Sequence, residues 1–152
     1  MNIAFFLTLK KDVAYLYDDY SIRQSLEKMK RHGYSSIPVI SRDGKYVSTV
    51  TEGDFLWYML DESIEDTDGV SIYDAEDLRL RDIIRKDRFT AVRITATMEE
   101  LIELAMNQNF VPVVDDMGTF IGIITRKVII QYFAIKAFDS ESEPSLEAIE
   151  KY

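Results

Sequence analysis

The chain has 152 residues, 47% of them hydrophobic and 30% charged, which is ordinary for a globular protein and enough to bury one sizeable core. It contains no cysteine, so disulfides, thiol catalysis and zinc ribbons are excluded together. A formal charge of −9 argues against nucleic acid or an anionic membrane as principal partner, but the positive residues cluster at Lys10-Lys11, from Arg79 through Arg93 and at Arg126-Lys127, where an anionic small ligand is still compatible.

The opening Met1-Asn-Ile-Ala-Phe-Phe-Leu-Thr-Leu9 is apolar but too short to cross a bilayer, and it lacks a basic leader or a small-residue cleavage site. It predicts a strand or packing arm of a cytoplasmic protein. Val13 to Tyr17 predicts a short strand, followed by a helix on which Ile22, Leu26 and Met29 recur at helical spacing and which ends at Gly33. Strands over 37–40 and 46–50 are joined by Asp43-Gly44, a strong hairpin signal, and Thr51 then caps a helix from Glu52 to about Leu60.

A polar, acidic stretch from Asp61 to Asp74 reads as a loop, leading into a short connecting helix from Glu76 to about Lys86 with Leu78, Ile83 and Ile84 on one face. The second half predicts a strand over 90–94, a helix over 98–106 with Met98, Leu101, Ile102 and Ala105 on one face, strands over 111–114 and 120–124, and a closing helix from Arg126. Beyond Phe138 the acidic, Ser-rich tail reads as solvated, although Pro144 is placed to start a short helix carrying Leu146 and Ile149.

The two halves repeat one another. Tyr34-Ser-Ser-Ile-Pro38-Val-Ile-Ser-Arg-Asp-Gly44, leading to Tyr46-Val-Ser-Thr-Val-Thr51, recurs as Phe110-Val-Pro112-Val-Val-Asp-Asp-Met-Gly118, leading to Phe120-Ile-Gly-Ile-Ile-Thr125. The offset is 74 residues from Pro38 to Pro112 and from Gly44 to Gly118, and 76 upstream, where Ile22 aligns with Met98. The predicted fold class is therefore α+β, with two β-α-β-β-α repeats. Repeat 1 covers 8–60, a linker with a short helix 61–85, repeat 2 86–136 and the acidic tail 137–152.

Where the repeat breaks is where chemistry is expected. Thr51-Glu-Gly-Asp54 puts a hydroxyl and a carboxylate on the same side of a helix start, which suits a capping box and equally suits a carboxylate accepting both hydroxyls of a ribose. In the second copy Thr125-Arg-Lys-Val128 has Val in place of the acid, so two equivalent ribose sites are not expected. Arg126 and Lys127 instead occupy a first helical turn, which the macrodipole disfavours by ~0.3–1 kcal/mol for each cation. They read either as exposed charges or as a phosphate clamp.

The apolar-Pro-Val-apolar strand, the Asp-Gly turn and the strand ending in Thr resemble the cystathionine-beta-synthase (CBS) domain, and two copies resemble the paired CBS module, over roughly residues 8 to 136. The resemblance implies one pseudo-twofold module whose clefts hold adenine nucleotides, with no catalytic domain attached. It implies that Thr51 and Asp54 grip a ribose and that residues entering the first strand lie near the ligand, Lys11 among them, with small Ala14 admitting the base. It further implies that Ser35, Ser36 and Ile37, before Pro38, offer backbone groups to an adenine edge beside Tyr34. For Lys10-Lys11 a plain surface pair is the alternative.

A Lys near the first strand combined with Thr125-Arg126-Lys127 also resembles a subset of CBS proteins that bind cyclic di-AMP, whereas the intact Thr51/Asp54 pair is what AMP, ADP or ATP would require. The expected ligand is a mononucleotide of that class, with cyclic di-AMP as the alternative. A module that keeps only a structural, dimerising role is a second alternative.

Phe55 to Leu60 and Val128 to Ala134 are apolar nearly all round, so each closing helix needs a second buried face. The resemblance implies a homodimer with Trp57, Tyr58, Ile130 and Phe133 near its seam, and a larger core within one chain is the alternative. An enzyme is not expected. His32, the only histidine, sits beside a helix-ending glycine, and neither a catalytic triad, a P-loop nor metal-ligand spacing is visible. Asp18-Asp19 and Asp115-Asp116 read as turn residues. The expected role is a regulatory binding protein with no catalytic cofactor and an unknown partner protein, for which the acidic tail and linker are the places to look.

Overall fold

Each repeat begins its first helix with the same reciprocal cap. In the computed structural model, which describes residues 2–65 (for 61–65 the helix path only) and 78–138, Ser21 Oγ accepts the Gln24 N–H while Gln24 Oε1 accepts the Ser21 N–H, both at 3.0 Å. Thr97 and Glu100 do the same at 3.2 and 2.8 Å. Each box satisfies two donors that a helix start leaves unpaired. The helices that follow are α1 (Ile22–His32) and α3 (Met98–Ala105), and α1 stops at Gly33, whose φ of 70° is the left-handed conformation a helix terminator needs.

The remaining elements repeat in the same order. Strands β2 (Leu16–Tyr17), β3 (Ser36–Ile40) and β4 (Tyr46–Thr51) precede α2 (Glu52–Glu65), and β5 (Val92–Arg93), β6 (Phe110–Val114) and β7 (Phe120–Thr125) precede α4 (Arg126–Phe138). In each repeat the first of these three strands pairs parallel with the second and the hairpin is antiparallel, with Ser36 opposite Thr51 and Phe110 opposite Thr125. Gly44 and Gly118 turn the hairpins at φ of 87° and 82°. Asp115 Oδ1 accepts the Met117 and Thr119 N–H groups at 2.9 Å each, the turn chemistry expected of that position. The result is a mixed α+β fold, as the repeat pattern predicts.

The chain forms two compact units, Ala14–Phe89 and Met1–Val13 together with Thr90 onward. The core of the first gathers Leu16, Ile22, Met29, Ile37, Val39, Val50, Phe55 and Leu80. That of the second gathers Ile3, Phe6, Leu101, Val111, Val113, Ile124, Val128 and Tyr132, with Phe6 edge-on to Tyr132 at 5.2 Å. The amino-terminal arm thus belongs with the second repeat. After a 3-10 turn at Ile3–Phe6, β1 (Thr8–Leu9) adds to the edge of β7, Thr8 opposite Ile123 and Leu9 opposite Gly122.

The first repeat covers the corresponding edge differently: Ser48, 74 residues before Gly122, donates its hydroxyl to the Arg85 carbonyl at 3.0 Å. Gln108 ties the second unit together, its side chain accepting the Thr90 N–H at 2.9 Å and donating to the Thr90 carbonyl at 3.1 Å.

The connecting helix expected over 76–86 is a single 3-10 turn, Leu80–Asp82, among the described residues. Its donors are diverted: the Leu80 N–H goes to the Tyr20 carbonyl at 2.8 Å and the Arg81 N–H to the Asp18 carbonyl at 2.9 Å, so neither is available for a helical ladder. Leu78, Ile83 and Ile84 still pack on the core as a helix face would have done. The strands expected over 13–17 and 90–94 are two residues each. The loop expected from Asp61 to Asp74 starts later than predicted, because α2 continues past Leu60 to Glu65; its remainder across 66–74 and the tail, with its helix from Pro144, lie outside the described residues. No helix among the described residues is long and apolar enough to cross a membrane.

Candidate functional site

In the first unit, β4 runs directly into α2, and the junction carries the Thr51/Asp54 pair. The Thr51 N–H donates to Asp54 Oδ2 at 2.8 Å, and the Asp54 N–H reaches Thr51 Oγ1 at 3.3 Å. The capping box is therefore formed, and it uses one carboxylate oxygen only. The other, Oδ1, accepts from Arg88 Nη1 at 2.7 Å in a salt bridge between an Asp54 side chain 4% exposed and an Arg88 side chain 44% exposed. A buried carboxylate with one neutral and one charged donor is well satisfied, and its burial makes the choice of donor at Oδ1 energetically important.

Around this junction the Glu52 N–H donates to the Ser35 carbonyl at 3.0 Å, fixing the end of β3 against the start of α2. Ser35 is exposed and Ser36 half-buried, whereas Ile37 and Pro38 are buried. Tyr34 stacks on His32, ring centroids 5.6 Å apart and planes 10° apart, which gives the single histidine an aromatic neighbour. Ala14 is half-buried against the same core. The segment after it is held by Lys28, whose Nζ donates to the Tyr15 carbonyl at 2.6 Å while burial pushes its ammonium pKa down. Ala14, Tyr34 to Pro38, Thr51, Asp54 and Arg88 thus belong to one unit.

Arg88 is the residue sequence reasoning did not single out. The only signal was its membership of the positive cluster from Arg79 through Arg93.

The second unit carries Lys11, Thr125, Arg126 and Lys127. Lys11 is exposed in a 3-10 turn, Lys10–Asp12. At the junction of β7 and α4, Thr125 Oγ1 accepts the Val128 N–H at 3.3 Å, and Val128, buried in the core, returns nothing. The half-box follows from the missing carboxylate. Arg126 Nε donates to the carbonyl of Ala105 at 2.7 Å, the last residue of α3, so the guanidinium satisfies a helix C-terminus where the dipole favours a cation. Lys127 is exposed.

On the closing helices, Trp57 is 53% and Ile130 59% exposed, with Leu56, Leu60 and Phe133 also outward, while Tyr58 packs partly against its own core. A groove of about 480 Å³ between α3 and α4 is lined by Ile102, Met106, Ile129, Ile130 and Phe133. No group of three metal-ligating side chains occurs among the described residues.

A family model described as the CBS domain matches this chain twice, over residues 7–61 and 80–135. A CBS domain protein of Streptococcus pneumoniae is similar in structure, with a TM-score of 0.76 and 27% identity over 89% of this chain and 86% of that one. The CbpB protein of Listeria monocytogenes in complex with cyclic di-AMP has a TM-score of 0.73 and 24% identity over 90% and 97%. CBSX2 in complex with AMP has a TM-score of 0.67 and 22% identity over 90% and 98%. Among curated relatives, an uncharacterised protein of Methanocaldococcus jannaschii is 25% identical over 129 residues, 83% of this chain. This chain spans 45% of that relative's length.

Proposed function

The chain belongs to the CBS domain family, with two copies of the domain, and from that premise we propose that it is a regulatory module that binds an adenine mononucleotide of the AMP, ADP or ATP class. The observation that carries this reading is Asp54: a buried carboxylate at a helix start, one oxygen committed to the cap and the other held by an exchangeable side chain. Such a group supplies acceptors for a ribose diol without first having to be buried. Exposed Ser35 and half-buried Ser36 lie in the same unit and offer polar groups to a base. The AMP complex of the similar CBSX2 supports the ligand class.

Cyclic di-AMP is the second reading, supported by the complex of the similar Listeria protein and by the exposed Lys127 beside Arg126 at the start of α4. It ranks second because Arg126 is already bonded to Ala105, and because a ring of two 3′,5′-linked nucleotides has no free diol for Asp54. The module acts by binding. Ligand-dependent affinity for a partner protein is its output. A homodimer through the outward apolar residues of α2 and α4, Trp57 and Ile130 foremost, completes the proposal. Calorimetry with a panel of adenine nucleotides tests the ligand. A protein that binds none of them would instead be a ligand-free interaction module.

A further inference from the structure

Arg88 reaches Asp54 from 34 residues away in sequence, and the geometry of the pair is that of an occupant, not a fixture. The contact is a single one, Nη1 to Oδ1 at 2.7 Å, with no second hydrogen bond of the forked kind that locks Arg to carboxylate. The two ends are unequally buried, Asp54 at 4% and Arg88 at 44% exposed, so the guanidinium can turn to water or to another anion while the carboxylate cannot. The segment leading to it is tied to β4 independently of Asp54, since Ser48 donates to the Arg85 carbonyl three residues earlier, and its guanidinium lies 5.2 Å from the Phe89 ring. The side chain can therefore leave Asp54 without the segment leaving β4.

We propose that Arg88 is the specificity-determining residue of the Asp54 site, making it select phosphorylated nucleosides over unphosphorylated ones. The inference rests on the reading that Asp54 takes a ribose diol. Arg88 already covers Oδ1 of a carboxylate side chain only 4% exposed, so a ribose hydroxyl approaching that oxygen competes with the guanidinium, and a displaced cation loses a charge-assisted bond. A nucleotide returns one through its phosphate; adenosine returns nothing. Arg88 thus opposes every ribose equally at Asp54 and rewards only those that carry an anion. The selectivity comes from a self-contact that the ligand must exchange, in the sense that discrimination arises as much from a penalty on the wrong ligand as from attraction to the right one.

The test is calorimetric titration of the whole chain with AMP and with adenosine, in the wild type, Arg88→Ala, Arg88→Gln and Asp54→Asn. Arg88→Ala is expected to bind adenosine more tightly and AMP more weakly, so that the preference for AMP falls about tenfold or more. Arg88→Gln, which keeps a neutral donor for Asp54, is expected to lose the same preference and serves if the alanine variant does not fold. If both Arg88 variants keep the wild-type ratio while Asp54→Asn weakens both ligands, the role of Arg88 is overturned and the ribose reading of Asp54 stands. With the wild-type titration extended to ADP, ATP and cyclic di-AMP, binding of no adenine mononucleotide, or of cyclic di-AMP alone, makes both fall together.

Discussion

Gly122 lies against the backbone of Thr8. A Cβ at position 122 would run into the Thr8 carbonyl oxygen and sit 2.9 Å from the Leu7 side chain, so the amino-terminal arm docks on β7 only because this residue has no side chain. Its φ is not positive, so the requirement is close approach and not backbone conformation. Gly122→Ala is expected to destabilise the protein by about 1–3 kcal/mol, the usual range for overpacking, because the clashing atom is backbone and cannot rotate away. Urea denaturation measures this, and Ser48→Ala, which removes one hydroxyl bond at the equivalent place, is expected to cost only about 1 kcal/mol.

Tyr46 contributes to the alkaline limit. Burial pushes its phenol up to about 12, against an ordinary value of about 10, although its hydrogen bond with Thr49 at 2.8 Å works the other way. The folded protein holds this proton to a higher pH than the unfolded chain does. The stabilisation is complete below about pH 10 and is lost as pH rises through about 12. Spectrophotometric titration should show a late phenol step that Tyr46→Phe removes, and the same variant should flatten the alkaline fall in stability.

Arg126 and Lys127 separate by role. Arg126→Ala breaks the bond to Ala105 at the end of α3 and is expected to lower stability by about 1 kcal/mol whether or not a ligand is present. Lys127→Ala, on an exposed side chain, is expected to leave the thermal midpoint unchanged. A loss of nucleotide affinity in Lys127→Ala without loss of stability would assign it to a phosphate.

The outward apolar residues of α2 and α4 predict a dimer in sedimentation at micromolar concentration. Trp57→Glu or Ile130→Glu, both at strongly exposed positions, is expected to give a folded monomer. Tyr58→Glu is expected to unfold the protein instead, because that side chain packs partly on its own core. A wild-type monomer would remove the dimer from the account.

Elements carried by local rules were legible in the sequence. Ser21 with Gln24 and Thr97 with Glu100 announce helix starts, Gly33 announces a stop, and Asp43-Gly44 a hairpin, because each is chemistry within a few residues. What was not legible depends on partners distant in sequence. A two-residue strand such as Thr8–Leu9 has no periodicity, and its place on β7 is decided by Gly122, over a hundred residues later. The connecting helix failed for the same reason, its donors being claimed by Tyr20 and Asp18. At the candidate site the Thr51/Asp54 motif carried both of its meanings, and the structure realises the cap. The partners of Asp54 and Arg126, namely Arg88 and the Ala105 carbonyl, have no signature that spacing could reveal.

The central claim is a nucleotide held by Asp54. Calorimetric titration of the wild type and Asp54→Asn with AMP, ADP and ATP tests it most directly, since Asn retains an acceptor for the Thr51 N–H and so preserves the cap. Saturable binding to the wild type, weakened about tenfold or more in a folded Asp54→Asn, is the predicted result. No binding by the wild type, or equal affinity in the variant, would contradict it.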